Sequence, residues 1–207
     1  MHNREDQTRS GPGFNRRDFL KGSSAAVAAT TLATGSPQSD AAVAKSSKVV
    51  AGATNVTLNV NGKDYKLKLE PRVTLLDALR NDLNFTGCKD VDERTASGAD
   101  TVMIDGKAVL ASSRLAIECQ GHKITTVESL KTAAELDEVV AGFVKHDAMQ
   151  CGFCTPGFVM ATRAFLDKNP DASLEEIQKG LGGNICRCGT YRGVTQCALE
   201  LAKKGGA

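Results

Sequence analysis

Two closely spaced cysteine pairs constrain this chain more than any other feature of its sequence. The first pair is Cys151-Gly-Phe-Cys154, and the second, after a long gap, is Cys186-Arg-Cys188. Thiolates are soft ligands that suit zinc or an iron–sulfur centre, and two pairs can bring four of them to one site. The spacing therefore predicts a four-cysteine metal site, and by itself it leaves the choice between zinc and iron–sulfur open.

The residues beside each pair favour a negatively charged group at this site. Thr155-Pro156 has the form of an N-cap followed by the first residue of a helix, and the second pair precedes the last predicted helix in the same way. Helix N-termini attract anions, and a cluster held by four thiolates is anionic. Arg187 and Arg192 add positive charge nearby.

Residues 1–44 are predicted to be an export signal. Arg16 and Arg17 lie in Asn15-Arg-Arg-Asp-Phe-Leu-Lys, which has the twin-arginine form, and a weakly apolar run too short for a membrane span follows. Ala42-Val43-Ala44 supplies a small-x-small cleavage site. A disordered basic tail is the alternative. We expect a periplasmic protein, exported already folded, whose mature chain has no membrane anchor.

Composition excludes some classes of partner. The 207 residues carry a formal net charge of +2, only 4% of them are aromatic, and Trp is absent. A nearly balanced charge and few stacking side chains argue against binding to nucleic acid. A hydrophobic content of 41% is sufficient for one or two small packed domains.

The hydrophobic pattern changes part-way along the chain. After a linker at 45–54, residues 55–131 alternate as strands around one helix, with a tight turn at Asn61-Gly62 and a cap at Thr74. This pattern predicts a β-grasp domain. Residues 132–207 have helical periodicity in four short stretches, one of them capped by Ser173 with Glu176, and they predict a four-helix bundle. The expected fold class is therefore α+β.

The two cysteine motifs resemble those of a known family. Gln150-Cys-Gly-Phe-Cys-Thr-Pro-Gly-Phe and Gly183-Asn-Ile-Cys-Arg-Cys-Gly-Thr-Tyr are similar to the proximal-cluster motifs of the xanthine oxidase family of molybdenum hydroxylases. The second motif most resembles the small subunits of bacterial isoquinoline and aldehyde oxidoreductases. The resemblance extends from about Val56 to about Leu201 and includes the order of the two domains.

The resemblance implies an electron-transfer subunit. Cys151, Cys154, Cys186 and Cys188 would hold one [2Fe–2S] cluster, which would receive electrons from a molybdopterin centre in a separate large subunit. Gln150 matches a family glutamine that contacts the pterin, although it could equally be an ordinary side chain at a helix end. The resemblance assigns no catalytic residue to this chain.

One loop departs from the family pattern. The family has a second, plant-ferredoxin-type cluster in the β-grasp domain, and its ligand positions fall here on Asp92, Ser97, Asp100 and Ser113. We therefore expect the second cluster to be absent. Electrons would then leave from the bundle cluster to an external acceptor such as a cytochrome, and a flavin subunit is disfavoured.

Other assignments for this loop and for the cysteines remain open. A hard cation could bind the acidic residues Asp90, Asp92, Glu93 and Asp100, and Cys88 and Cys119 could form a disulfide. Cys197 falls on an apolar helical face and is predicted to be buried. The whole chain could also be a zinc-stapled module, or an assembly subunit whose cluster is vestigial.

Overall fold

The structure is a computed structural model that describes residues 52–92, 96–130 and 136–205. All of these residues belong to one compact unit, Val50–Ala207. The predicted export signal, with Arg16 and Arg17, lies outside the described residues, as does most of the predicted linker. No helix among the described residues is both long and apolar enough to cross a bilayer.

A hairpin opens the sheet. Strands β1 (Thr54–Val60) and β2 (Lys63–Leu69) pair antiparallel. Asn61 and Gly62 join them with φ angles of 53° and 79°, the left-handed conformations that Asn and Gly tolerate best. The alternating apolar residues of β1 are buried, as the pattern predicts.

Three further strands complete a five-stranded mixed sheet in the order β2-β1-β5-β3-β4. β3 (Thr101–Ile104) and β4 (Lys107–Leu110) form a second hairpin, and β5 (Lys123–Thr125) runs parallel to β1 and antiparallel to β3. The alternating sequence pattern predicts strands at 101–105, 107–111 and 123–127, and each observed strand ends one or two residues earlier. At the β3–β4 turn the reason is local, because Asp105 and Gly106 take positive φ angles and so leave the strand conformation.

One short helical segment packs against the sheet. Helix α1 (Leu75–Asp77) continues directly into a π-helical turn, Ala78–Asp82. The Thr74 hydroxyl accepts a hydrogen bond from the Asp77 amide, which confirms the predicted cap. The π-helical geometry was not predicted; the Leu83 amide donates to the Ala78 carbonyl, five residues back, over 3.1 Å.

In the described part of the chain, four α-helices follow the sheet. They are α2 (Glu138–Lys145), α3 (Thr155–Leu166), α4 (Leu174–Gly180) and α5 (Tyr191–Gly205). α5 contacts each of the other three, and the four share a core that includes Phe143, Phe158 and Ile177. The predicted Ser173–Glu176 capping box is present at the start of α4.

Three residues placed on apolar helical faces by the sequence pattern are exposed instead. Leu136 lies before the Asp137 cap of α2 and so precedes the helix, while Val144 is in the last turn of α2 and Leu174 is the first residue of α4. A side chain at or beyond a helix end reaches past the neighbouring helices, which periodicity alone does not reveal.

The sheet and the helices have separate hydrophobic cores that meet at a third cluster. The sheet core includes Leu58 and Leu79, whereas Met103 of β3 packs against Met160 and Ala164 of α3. Helix α3 also contacts β4. This arrangement places the start of α3, where the first cysteine pair lies, next to the loop that precedes β3.

Candidate metal centre

The two cysteine pairs lie at the starts of two helices. Cys151 and Cys154 are in the loop between α2 and α3, and Cys186 and Cys188 are in the loop between α4 and α5. Cys151 and Cys188 are exposed, Cys154 is half-buried and Cys186 is buried. Both loops therefore present sulfur atoms at the surface, with one well-buried sulfur behind them.

Helix α3 begins one residue earlier than the sequence analysis proposed. Cys154, and not Thr155, is the N-cap, because its carbonyl accepts the first helical hydrogen bond, from the Phe158 amide over 3.1 Å. Pro156 is still within the first turn, where its missing N–H costs nothing. A metal-binding cysteine would thus sit directly at the positive end of α3.

Two thiols from different pairs are in contact. Burial and, after it, a hydrogen bond to Cys186 raise the pKa of the Cys154 thiol to about 12. Burial also acts to raise the pKa of Cys186, but hydrogen bonds from Thr190 and from Cys154 outweigh it and lower that pKa to about 7. Of these two thiols, Cys186 is therefore the one more readily converted to the thiolate, the form that binds metals.

Residues after the second pair hold Cys186 in place. The Thr190 hydroxyl lies 3.1 Å from the Cys186 sulfur, and the Cys186 amide donates to the Tyr191 hydroxyl over 2.8 Å. The Tyr191 ring meets Phe158 of α3 edge-on, with centroids 5.9 Å apart. Thus one aromatic pair connects the two helices whose starts carry the cysteines.

The donor set fits an iron–sulfur cluster. Among the described residues, no three His, Cys, Asp or Glu side chains converge as ligands of a single ion. A [2Fe–2S] cluster divides its four thiolates between two irons, so its ligands need not meet at one point. The Thr155 hydroxyl, next to Cys154, is buried without a hydrogen-bond partner, which is a polar group that an adjacent cluster could satisfy.

Gln150 is exposed and lies immediately before Cys151, in the loop between α2 and α3. Its position beside the first cysteine pair is compatible with contact to a group on a partner subunit. Its assignment to a pterin stays a prediction.

The altered loop before β3 is closed by its own hydrogen bonds. The Ser97 hydroxyl donates to Asp92, and this bond, followed by the one from the Ala96 amide, lowers the pKa of the Asp92 carboxyl. The buried carboxylate of Asp100 accepts from the Ser112 amide over 2.7 Å and from the Ser112 hydroxyl. Of the four substituted positions, Asp92 and Ser97 thus bond to each other, whereas Asp100 bonds to Ser112, which is not one of the four.

The structure brings Ser112, and not Ser113, to Asp100. The Ser113 hydroxyl is exposed and donates to the Leu110 carbonyl over 2.8 Å. The ungapped comparison of motifs had assigned the fourth lost ligand to Ser113. In the folded chain Ser112 faces Asp100 and Ser113 does not, because the turn after β4 directs the two side chains differently.

The altered loop also supports the second cysteine motif. The Ile185 amide donates to the Ser97 carbonyl over 2.8 Å, and the buried Asn184 side chain donates to the Gly98 carbonyl over 2.8 Å. A Cβ at Gly157 of α3 would lie 2.2 Å from the Gly98 carbonyl oxygen, so only glycine allows this approach. Sequence reasoning quoted Asn184 and Gly157 within the motifs but did not identify these contacts.

Cys88 and Cys119 are free thiols. Cys88 donates to the Asp100 carbonyl and Cys119 to the Leu115 carbonyl, so the structure does not contain the disulfide that the sequence left open. Cys197 is buried, as predicted. Asp92 and Asp100 are each bonded to a different serine, so they do not share a cation site. Glu93 lies outside the described residues, and the rest of the hard-cation alternative stays a prediction.

Comparison with known proteins identifies the family. A model for the [2Fe–2S]-binding domain matches residues 126–199, and one for the twin-arginine translocation signal matches residues 13–33. The aldehyde oxidoreductase iron–sulfur-binding subunit PaoA of Escherichia coli (strain K12) is 35% identical over an alignment 207 residues long, which covers 91% of this chain and 88% of PaoA. The nicotine 6-hydroxylase small subunit of Paenarthrobacter nicotinovorans is 39% identical over 145 residues, covering 70% and 87%. This chain belongs to the iron–sulfur subunits of the xanthine oxidase family of molybdenum hydroxylases.

Solved structures agree with this membership. Quinoline 2-oxidoreductase from Pseudomonas putida 86 matches with a TM-score of 0.71 and 33% identity, over 75% of this chain and 98% of that chain. The aldehyde oxidoreductase from Desulfovibrio desulfuricans matches with a TM-score of 0.69 over 72% of this chain and 17% of that much longer chain. As a family member, this chain is an oxidoreductase subunit with a [2Fe–2S]-binding domain. Its signal sequence directs it to the periplasm.

Proposed function

We propose that this chain is the electron-transfer subunit of a periplasmic molybdenum hydroxylase and holds one [2Fe–2S] cluster on Cys151, Cys154, Cys186 and Cys188. The observation that carries the proposal is the contact between Cys154 and Cys186, which joins the two motif loops at the starts of α3 and α5. When bound, the cluster supplies a one-electron carrier. The protein supplies four sulfur ligands and two helix N-termini that stabilise their negative charge.

The fold proposed for these functions has two parts. Residues 55–131 form a β-grasp domain, consistent with the mixed sheet order and the helix against it. Residues 132–207 form a four-helix bundle, consistent with the core that the four helices share. The bundle carries the cysteines, and the β-grasp part supports them through the Ser97 and Gly98 carbonyls.

The partner is proposed to be a large molybdopterin-binding subunit. Several large apolar side chains are exposed within or directly beside the two cysteine motifs: Met149, Phe153, Ile185 and Tyr191 are each between 44% and 52% exposed. Such a concentration of apolar surface around a redox site is typical of a protein interface. Gln150 lies in the same motif surface and is the residue we assign to the pterin.

The electron route is proposed to end at this one cluster. The loop that holds a second cluster in the family has no cysteine at Asp92, Ser97, Asp100 or Ser113, and its polar side chains already pair with one another or with the backbone. An acceptor such as a cytochrome would therefore have to dock within reach of the cysteine motifs. A flavin subunit served through the β-grasp part is disfavoured.

Two other functions would use the same residues. A structural zinc module would use the same four cysteines to hold the helices together. An assembly subunit would bind the large subunit through the same apolar surface and transfer no electrons. Neither has an observation in its favour that the electron-transfer function lacks.

The test is a count of metal and sulfide in the mature protein purified with its complex. About two irons and two labile sulfides per chain, with one paramagnetic cluster after reduction, are expected. Cys186→Ser should abolish that signal, whereas Cys197→Ala, at a buried cysteine outside the motifs, should retain it.

Other results would contradict specific parts of the proposal. Zinc without labile sulfide would refute electron transfer. About four irons and two signals would refute the single-cluster route. A cluster that substrate reduces but no external acceptor reoxidises would favour the assembly function.

A further inference from the structure

Thr190 donates to a single sulfur twice. Its hydroxyl oxygen lies 3.1 Å from the sulfur of Cys186, and its backbone nitrogen lies 3.5 Å from the same atom. Thr190 is only 6% exposed, and Cys186 is equally buried. Both hydrogen bonds are therefore made away from solvent, where electrostatic interactions are strongest.

The backbone around this sulfur is held rigidly enough for the contact to persist. The Cys186 amide is bonded to the Tyr191 hydroxyl over 2.8 Å, and the Tyr191 ring rests edge-on against Phe158. Thr190 directly precedes α5, and the Val194 amide bonds back to the Thr190 carbonyl over 3.2 Å. The first turn of α5 thus fixes both the donor and the residue that carries the acceptor sulfur.

A hydrogen bond to a cysteine sulfur changes the redox balance of a cluster bound there. Reduction adds an electron, part of whose charge resides on the ligand sulfurs, so a donor to that sulfur stabilises the reduced form more than the oxidised form. Cys186 is the most buried of the four motif cysteines, so its sulfur is the one least screened by water. A donor at Cys186 therefore has the largest effect.

We propose that Thr190 is a positioning residue that raises the reduction potential of the cluster through its hydroxyl bond to Cys186. This rests on the proposed function, in which Cys186 is a cluster ligand. Thr190 contacts neither substrate nor iron in this role. It determines how readily the subunit accepts an electron from its partner.

The test is a redox titration of the purified complex, followed by the electron paramagnetic resonance of the reduced cluster. Thr190→Val keeps the shape of the side chain and removes the hydroxyl. We expect the equilibrium constant for reduction to fall about tenfold, which is about 59 mV for a one-electron couple. Thr190→Ser restores a hydroxyl and should return the potential most of the way to the wild-type value.

A matched control is available in α3. Thr162 is fully buried and its hydroxyl has no hydrogen-bond partner, so Thr162→Val makes the same chemical change without removing a bond to sulfur. Its potential should equal that of the wild type. If Thr190→Val displaces the cluster, Thr190→Ala removes the same hydroxyl and leaves a smaller side chain. It must then lower the reduction potential by the same amount.

The outcomes separate this inference from the proposed function. A wild-type complex without a cluster would refute the proposed function and this inference with it. A wild-type cluster whose potential does not change in either hydroxyl-free variant would refute this inference alone. An equal shift in Thr162→Val would also refute it, because the change would then reflect packing and not the bond to Cys186.

Discussion

The Asp100–Ser112 pair predicts how much the altered loop contributes to stability. The carboxylate of Asp100 is 3% exposed and accepts two hydrogen bonds from Ser112, one from its amide at 2.7 Å and one from its hydroxyl. Asp100→Ala removes the acceptor and leaves both donors in a closed environment. We expect this variant to be less stable and the loop before β3 to open more readily.

The expected loss follows from the two bonds. A buried donor left without a partner costs about 1–3 kcal/mol, and bonds to a charged acceptor lie in the upper part of that range. Ser112 retains partial access to water, so we expect a total of about 3 kcal/mol for Asp100→Ala. For a chain of this length, 1 kcal/mol lowers Tm by about 2–4 °C, which gives a drop of about 6–12 °C.

Thermal unfolding of the mature protein measures this directly. Asp90→Ala is the matched control, since Asp90 lies on the same loop and its side chain is exposed; it should change Tm by about 2 °C or less. Ser112→Ala should cost less than Asp100→Ala because the Ser112 amide keeps its partner, and the double variant should be no worse than Asp100→Ala alone. An Asp100→Ala protein as stable as the Asp90→Ala control would show that the pair stabilises nothing.

Three further predictions follow from the same structure. The combined substitutions Asp92→Cys, Ser97→Cys, Asp100→Cys and Ser112→Cys should allow a second iron–sulfur cluster to be reconstituted. The same set with Ser113→Cys in place of Ser112→Cys should not, because Ser113 faces solvent and bonds to Leu110. Iron counts test this, and a cluster bound only by the set with Ser113→Cys would refute it. Removal of iron with a chelator should expose Cys151 and Cys188 to alkylation, whereas Cys88, whose pKa burial raises to about 12, should stay unmodified until the protein unfolds. Mass spectrometry of tryptic peptides identifies the alkylated cysteines, and early labelling of Cys88 would contradict its burial. Hydrogen bonds from the backbone and hydroxyl of Ser173 lower the pKa of Glu176, so the stability that Glu176 contributes is present above its unfolded-state pKa and is lost as pH falls through its folded-state pKa. Glu176→Gln should therefore weaken the loss of Tm in acid. An unchanged loss would show that the capping box is not its source.

The parts of the fold that the sequence predicted correctly depend on neighbours along the chain. The Asn61-Gly62 turn, the Thr74 cap and the Ser173–Glu176 capping box each involve residues no more than three positions apart, so their chemistry can be read directly from the sequence. The membership of the family followed from the two cysteine motifs in the same way. Here residue type and spacing alone decide which backbone groups are capped and that the metal ligands are thiolates.

The sequence did not predict features that depend on segments far apart in the chain. Periodicity placed Val144 on an apolar face, but whether that face is covered depends on where the other helices end. Asp100 bonds to Ser112 and not to Ser113 because of the path that the chain takes after β4. The bond of Asn184 to the Gly98 carbonyl joins residues 86 positions apart.

The sequence by itself thus determined the export signal and the family of this protein, and with the family its class of metal cluster. It also predicted that the ligands of a second cluster are missing. The tertiary structure decided what occupies the place of those ligands, and which groups surround Cys186. Thiolate chemistry and helix capping act between close neighbours and are written in residue type. A buried hydrogen bond between distant segments exists only once packing has brought its donor and acceptor together and excluded water from both.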